Sequence, residues 1–543
     1  MKKSTKYIYS PLLVVALLLG SCKSNFLDVE PITSVLESNF YKNINDAEMA
    51  LIGCYDGYQR TSSNGNLAFY VTSEILSDNC FGGTGTTDGR GYQALDRFDQ
   101  SQSPSDNNLF NGTWTDYYAG IFRCNMLLSK LDGTDFASNT EARARIEGET
   151  RFLRALMYFD LVRLFEKVPL LTEPTRDNLP QADPKETYQL IVDDLKFAAT
   201  NIPANAYPKA RAAVNDGRVT SYAAKALLAR VYLFYTGYYG TDDLGVTKAE
   251  VLQGLEDVVS SAEFDLVPDF SALWPASSFI PNAADNTLDI SQYAGKGNIE
   301  VVFAQKFNNT QNYNGNIDGN RWLVMMGMRN TNFSPYGKGW GACTVSKRLF
   351  DEFENIDTRK VASIINIEGE GVVAFDLKDQ REYTGYTNKK YTPTALPDGT
   401  SNTGGSKDFQ ISQDQDFFVI RYADVLLMAA ELGSAKSQEY LDKVRQRAYK
   451  TSFVSVPATK DNILRERKFE FAFEGIRYWD LLRQGLNVAA ARIAQTETVK
   501  SGTVPEVLTI TQDNIVKTRG FMQIPNTQIT LSNGKMVQNN GWN

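Results

Sequence analysis

Not one histidine occurs in the 543 residues. That excludes histidine-dependent catalytic triads, histidine-ligated zinc or haem, and the commonest general base of enzyme chemistry. Cysteine is scarce: there are five, and none stands in a C-x-x-C pair, so neither a thioredoxin-like site nor a zinc ribbon is supported. Long apolar runs are missing as well. The longest, Pro11 to Gly20, falls well short of the roughly 20 residues a membrane-spanning helix needs. A basic surplus is absent too. The formal charge is −8 with no concentrated basic stripe, which excludes the electrostatic footprint of a nucleic-acid binder.

What is present describes a folded, exported chain. Hydrophobic residues make up 42% and aromatic residues 12% of the sequence, well above a disordered profile. Lys2, Lys3 and Lys6 precede the apolar run, which has the length and flanks of a secretory leader rather than a span. Leu19-Gly20-Ser21-Cys22 follows and resembles the bacterial lipobox, in which the cysteine thiol receives a diacylglycerol. Residues 1–21 are thus expected to be a signal peptide and Cys22 the lipidated N-terminus, with acyl chains as the membrane attachment. The other cysteines, Cys54, Cys80, Cys124 and Cys343, allow three pairings, and free buried thiols are an equal alternative.

Residues 22–42 read as a linker, and helical patterns dominate from there. Asp46 to Tyr58, Trp114 to Leu131 and Glu141 to Lys167 carry apolar residues at three- and four-residue steps. Asp183, Pro184 and Glu186 form a helix start in which cap and third residue satisfy each other's N–H groups, and that helix runs to about Asn201. Val219 to Tyr235 is rich in alanine and leucine, as expected where helices approach closely, and Lys248 to Ser261 supplies its partner. Helix, short loop, helix, repeated, predicts a mostly α fold built from tetratricopeptide-like helical pairs. Between about 264 and 415 the pattern breaks into short apolar strands, Val301 to Phe303 and Val372 to Leu377, among loops. Helices return at Arg421 to Leu432, Gln438 to Tyr449 and Asp461 to Gln484. The expected layout is one domain over 43–543, its helical scaffold at about 43–262 and 419–485, with a loop-rich insertion. Function is expected on the insertion and on the stretch from Thr61 to Phe110.

Several segments resemble the SusD/RagB family and occur in its order. They are the lipoprotein cysteine with Phe26-Leu27-Asp28 and Pro31, then Leu51-x-Gly53-x-Tyr55, then the helix from Tyr118 to Leu131. Glu147 to Leu170 (EGETRFLRALMYFDLVRLFEKVPL) and Ile463 to Leu482 (ILRERKFEFAFEGIRYWDLL) are the longest matches. Arg421 to Glu431, Leu441 to Ala448, Ile524-Pro525 and Gln538-Asn539-x-Gly541 complete the series. Glu166 stands where the family has glycine, and Asn540 and Trp542 replace a terminal proline and tyrosine. The resemblance implies a lipid-anchored, cell-surface protein of the outer membrane with four tetratricopeptide-like units. It also implies a SusC-like TonB-dependent transporter as partner and capture of an oligo- or polysaccharide for import. A peptide ligand, as in RagB-like members, is the alternative. No cofactor and no metal are implied.

Three chemical motifs are weighed on their own terms. Glu466, Glu470 and Glu474 at i, i+4 spacing suggest a glycosidase pair, but carboxylates on one helix face do not flank a cleft. An ion network fixing helix packing is the expected reading. Gly82 to Gly91 lacks the ending of a phosphate loop and reads as a flexible surface loop. Asn314, Asn316, Asp318 and Gly319 have a calcium-loop rhythm, yet Met325 stands where the bidentate acid belongs. Sugar recognition needs flat apolar faces beside planar polar groups. The candidates are Asp78, Asn79, Arg90, Tyr92, Trp274, Tyr293, Tyr313, Trp322, Tyr336 and Trp340, with Phe110 also in the loop set. Trp322 and Trp340 are the expected centre of a shared platform.

Overall fold

The computed structural model describes residues 40–63, 68–101, 108–203, 217–309 and 318–542. The signal peptide, Cys22, the family residues Phe26 to Pro31, and Tyr313, Asn314 and Asn316 lie outside them. Eight helices pair off in chain order: α1 (Ile44–Ser63) with α2 (Asn111–Lys130), α3 (Thr140–Phe165) with α4 (Pro184–Asn201), α5 (Ser221–Tyr239) with α6 (Lys248–Ser260), and α7 (Tyr422–Glu431) with α8 (Ser437–Tyr449). Each pair stacks on the next through α2 against α3, α4 against α5 and α6 against α7. This is the predicted helical-pair scaffold. Among the described residues no helix is long and apolar enough to cross a membrane.

Local chemistry accounts for the helix ends. Asp183 accepts the Lys185 N–H at 2.9 Å while Glu186 accepts the Asp183 N–H, the reciprocal cap read from the sequence. Thr247 and Glu250 repeat the device at the start of α6. Close approach is set by small residues: Ala223, Ala224, Ala226 and Ala229 of α5 are fully buried.

The insertion is not a separate layer. Its strand β2 (Val301–Gln305) pairs antiparallel with β4 (Phe417–Arg421), which leads directly into α7. β1 (Cys80–Gly83) pairs with β3 (Ala342–Val345), joining the first loop-rich stretch to the second. Two expectations are corrected. Val372 to Leu377 forms turns ending in a short 3-10 helix (Leu377–Asp379), because its N–H groups bond locally, Val372 to the Ile367 carbonyl at 2.9 Å and Phe375 to the Val372 carbonyl at 3.2 Å. The helix expected over 461–484 is two helices, α9 (Lys460–Glu470) and α10 (Arg477–Leu482). Gly475 between them has φ +70°, and a Cβ there would sit 2.8 Å from the Tyr70 ring, so the turn requires glycine. Glu474 therefore lies in the turn, off the face that carries Glu466 and Glu470. After α11 (Leu486–Ile493) comes a hairpin of β5 (Gln495–Ser501) and β6 (Val504–Ile510).

An ion network does fix the packing here. Arg421 reaches Glu470 at 2.9 Å and Glu474 at 2.8 Å and also pairs with Glu300. Arg359 holds Glu466 at 2.6 Å, Glu470 at 3.2 Å and Asp357 at 2.7 Å. Lys390 holds Glu474 at 2.8 Å. All are buried. Burial works against the Glu470 carboxylate, but Arg447, Arg421 and Arg359 outweigh it and hold the group far below the usual range. The carboxylates are spent on arginines rather than aimed at a cleft. The four described cysteines are free and buried. They form two neighbouring sets, with Cys54 of α1 in contact with Cys124 of α2 and Cys80 of β1 in contact with Cys343 of β3.

Candidate ligand pocket

Where β1 ends, the chain enters the glycine-rich segment, which the structure ties down. The Gly82 and Gly83 N–H groups donate to Asp96 at 2.8 Å and Glu382 at 2.9 Å. Gly82 also has to be glycine: a Cβ would stand 2.6 Å from the Tyr92 carbonyl carbon. Asp96 and Glu382 are fully buried and in contact. Burial first, and for Asp96 the Glu382 charge next, raise their proton affinity. Arg97 donates to Glu382 at 2.6 Å. The rest of the loop hangs on three polar side chains. Arg381 donates to the Thr86 carbonyl at 2.7 Å and the Gly89 carbonyl at 3.2 Å. Asp379 accepts the Thr86 N–H at 3.0 Å. Asp88 accepts the Gly85 N–H at 2.8 Å. The expected flexible loop is thus a fastened rim.

That rim closes one side of a cavity of about 480 Å3 lined by Thr84, Asp88, Gly89, Gly91, Tyr92, Leu109, Met325, Arg329 and Trp340. Residues from both expected functional stretches meet there. Tyr92 is the second residue of a short helix (Gly91–Asp96), and its hydroxyl points to the Met325 sulfur at 3.9 Å. Trp340 is held by its backbone N–H, which donates to the Val324 carbonyl at 2.8 Å. Its half-exposed ring carries the Arg321 guanidinium 5.2 Å from the centroid. Arg329 crosses the floor, donating to Asp379 at 2.8 Å and pairing with Asp88 at 3.1 Å. The arrangement offers half-exposed aromatic rings, an apolar patch from Leu109 and Met325, and a carboxylate and guanidinium at the edge. Such a surface accepts a ring with apolar faces and hydroxyl edges.

The other candidates are placed elsewhere. Arg90 is exposed beside the pocket mouth. Trp322 and Trp274 are completely buried. Trp322 packs on Tyr391 and Phe417, both with centroids at 4.7 Å. Trp274 lies under Lys390 at 4.5 Å. The expected Trp322–Trp340 platform is therefore corrected: only Trp340 reaches the cavity. Asp78 and Asn79 are fully buried, Asp78 under Arg477 at 2.7 Å. Tyr336 is buried in a small second core with Ile365, Ile367 and Val372, its hydroxyl on Glu370. Tyr293 packs on Phe279 at 5.6 Å, away from this cavity, and Phe110 is in the main core. Sequence reasoning missed Leu109, Met325 and Arg329. Asp88 lay in the glycine-rich segment, where an acid among glycines was the available signal.

Comparison with known proteins adds to this geometry. A model described as the SusD family matches residues 375–542. A second, described as starch-binding associating with outer membrane, matches residues 25–233. SusD-like protein P25 of Formosa agariphila is 26% identical over 519 residues, 88% of this chain and 90% of that protein. A SusD-like protein of Bacteroides ovatus is 24% identical and covers 88% of this chain and 82% of its own length. Among solved structures, a laminarin binding SusD-like protein superposes with a TM-score of 0.69 at 27% identity, covering 92% of this chain and 99% of that one. Surface glycan-binding protein A from Bacteroides thetaiotaomicron, in complex with laminarihexaose, gives 0.70 at 23%, covering 91% and 99%.

Proposed function

Since this chain belongs to the SusD/RagB family of non-catalytic, outer-membrane-associated binding proteins, we propose that it captures an oligo- or polysaccharide in the cavity between Tyr92 and Trp340. It then delivers that glycan to a SusC-like TonB-dependent transporter. Lipidation at Cys22 anchors it to the outer membrane, facing outward. The observation that carries the ligand assignment is the cavity itself. Two half-exposed aromatic rings stand beside Asp88 and Arg329, so apolar ring faces and directional polar edges occur together. The names of two structural relatives point to β-glucan of the laminarin type as the first ligand to try.

Titration calorimetry with laminarin oligosaccharides and a panel of other glycans, followed by product analysis, tests this reading. Binding without turnover that is lost in Trp340→Ala supports it. Binding untouched by both Trp340→Ala and Tyr92→Ala moves the site elsewhere. Any cleavage product overturns it.

A further inference from the structure

Two acids fasten the glycine-rich rim of the aromatic pocket, and one guanidinium spans both. Gly82 and Gly83 donate to Asp96 and Glu382, while Arg97 stands 3.7 Å from Asp96 and 2.6 Å from Glu382. Both acids are fully buried, and among the described residues Arg97 is the only cation in ion-pair contact with either. Arg97 is itself shared with a third acid, Glu506 of β6, at 3.7 Å. The Asp96 Oδ1 is buried and accepts no hydrogen bond. Two carboxyls so placed keep one proton between them, an acid donating to a carboxylate. Burial first, and the Glu382 charge next, hold the proton on Asp96 well above the usual carboxylate range.

Other charges face the pair at one remove. Arg381 spends its N–H groups on the Thr86 and Gly89 carbonyls and lies close to Arg90. Asp88 and Asp379 hold Arg329. Asp99 accepts from Ser101. Lys500 of β5 pairs through its backbone with Tyr383 and keeps its side chain exposed. None of these groups forms an ion pair with Asp96. Within the rim Gln93 donates to the Gly83 carbonyl.

The fastened backbone is strained. Thr84, a β-branched residue, has φ +72° and Glu382 has φ +48°, both in the left-handed region. Thr84 is kept there by its N–H on the Gly341 carbonyl at 2.7 Å and by its own carbonyl, which accepts the Arg381 N–H at 2.8 Å. Strain of this kind persists only while the surroundings enforce it. Without the shared proton, two negative charges in a dry site divide one arginine and repel. Thr84, Asp88 and Gly89 line the cavity, so a rim that moves takes one wall away.

We propose that Asp96 and Glu382 form a proton-operated catch: the shared proton holds the rim over the cavity, and its loss at alkaline pH releases the rim and the ligand. The ligand half of this statement rests on the glycan reading of that cavity.

Amide hydrogen exchange over Gly82–Gly89 between pH 6 and pH 9, corrected for the intrinsic rate, reads the rim without any ligand, and laminarihexaose titrations over the same range read the pocket. Protection and affinity are both expected to fall about tenfold or more towards pH 9, the scale of repulsion between neighbouring buried charges. Asp96→Asn places an amide donor on Glu382 at every pH and should flatten both profiles. Glu382→Gln should flatten the exchange profile likewise. Glu74→Gln, which removes another buried acid titrating in this range, should leave the fall in place. A rim that opens with pH in wild type but not in Asp96→Asn, with no laminarihexaose binding at any pH, supports the catch and counts against the glycan reading. Flat exchange in the wild type, the same fall in wild type and Asp96→Asn, or unchanged laminarihexaose affinity while the rim opens overturns the proposal.

Discussion

Glu74 accepts the backbone N–H of Gly475 at 2.7 Å from a position that is fully buried, and among the described residues no cation forms an ion pair with it. Burial raises its pKa from 4.5 to about 7. An unfolded glutamate has released its proton by about pH 4.5, whereas the folded one retains it to about pH 7. The resulting stability is complete below the unfolded pKa and is lost as pH rises through the folded one, up to about 3 kcal/mol. Glu74→Gln is expected to remove this slope and to be more stable than the wild type at pH 8. Urea unfolding of both proteins between pH 5 and pH 8 checks it. Asp160, raised to about 6 by burial, leaves some slope in both proteins, so the difference between them is the quantity to read.

The helical scaffold was legible because local chemistry determines it. The Asp183–Glu186 cap, the alanine-rich face of α5 and the apolar stripe of α3 each need only neighbouring residues. The site was only half legible, because β1 pairs with β3 from more than two hundred residues away. No local pattern announces that Thr84 and Trp340 will face one cavity. Nor does composition separate Trp322 from Trp340. The first sits in a short helix (Arg321–Met326) turned onto Tyr391 and Phe417, and the second follows a two-residue strand (Lys338–Gly339) and is only partly buried. The break after Glu470 was hidden for a related reason. The apolar period continues through Phe471 and Phe473, and only the contact between Gly475 and Tyr70 dictates the turn.

Gly57 of α1 and Gly120 of α2 mark the closest crossing in the first helical pair. A Cβ on Gly57 would stand 2.9 Å from the Gly120 Cα, a backbone atom that moves only with its helix. Gly57→Ala is therefore expected to destabilise the chain by roughly 1–3 kcal/mol despite its better helix propensity. Gly53→Ala, one turn earlier with open space around its Cβ, should be neutral or slightly stabilising. Unfolding midpoints of the two variants check the contrast.

The paired thiols yield a chemical prediction. Cys54 and Cys80 are buried, and contact with Cys124 and burial, respectively, raise their thiols well above the ordinary range. A buried, protonated thiol is a poor nucleophile. Ellman titration at pH 8 is expected to count none of the four described thiols in the native protein and all four in guanidinium. A count of two or zero after unfolding would mean that the neighbours have oxidised to disulfides.

Trp322 and Trp340 separate stability from binding most cleanly. Trp322→Ala removes a fully buried ring packed on two others, a loss of about 3–5 kcal/mol. Trp340→Ala keeps the backbone hydrogen bond to Val324 and removes a partly buried ring that carries Arg321 and packs on the edge of the core. Its unfolding midpoint should shift less than that of Trp322→Ala, while glycan affinity should fall at least tenfold, about 1.4 kcal/mol. Tyr92→Phe keeps the ring and removes only a hydroxyl that meets the Met325 sulfur at 3.9 Å, so it should bind nearly as well as wild type. Calorimetry on the three variants beside thermal unfolding reads both axes at once. Should Trp340→Ala unfold early and bind normally once corrected for the folded fraction, the ring serves packing and the ligand sits elsewhere.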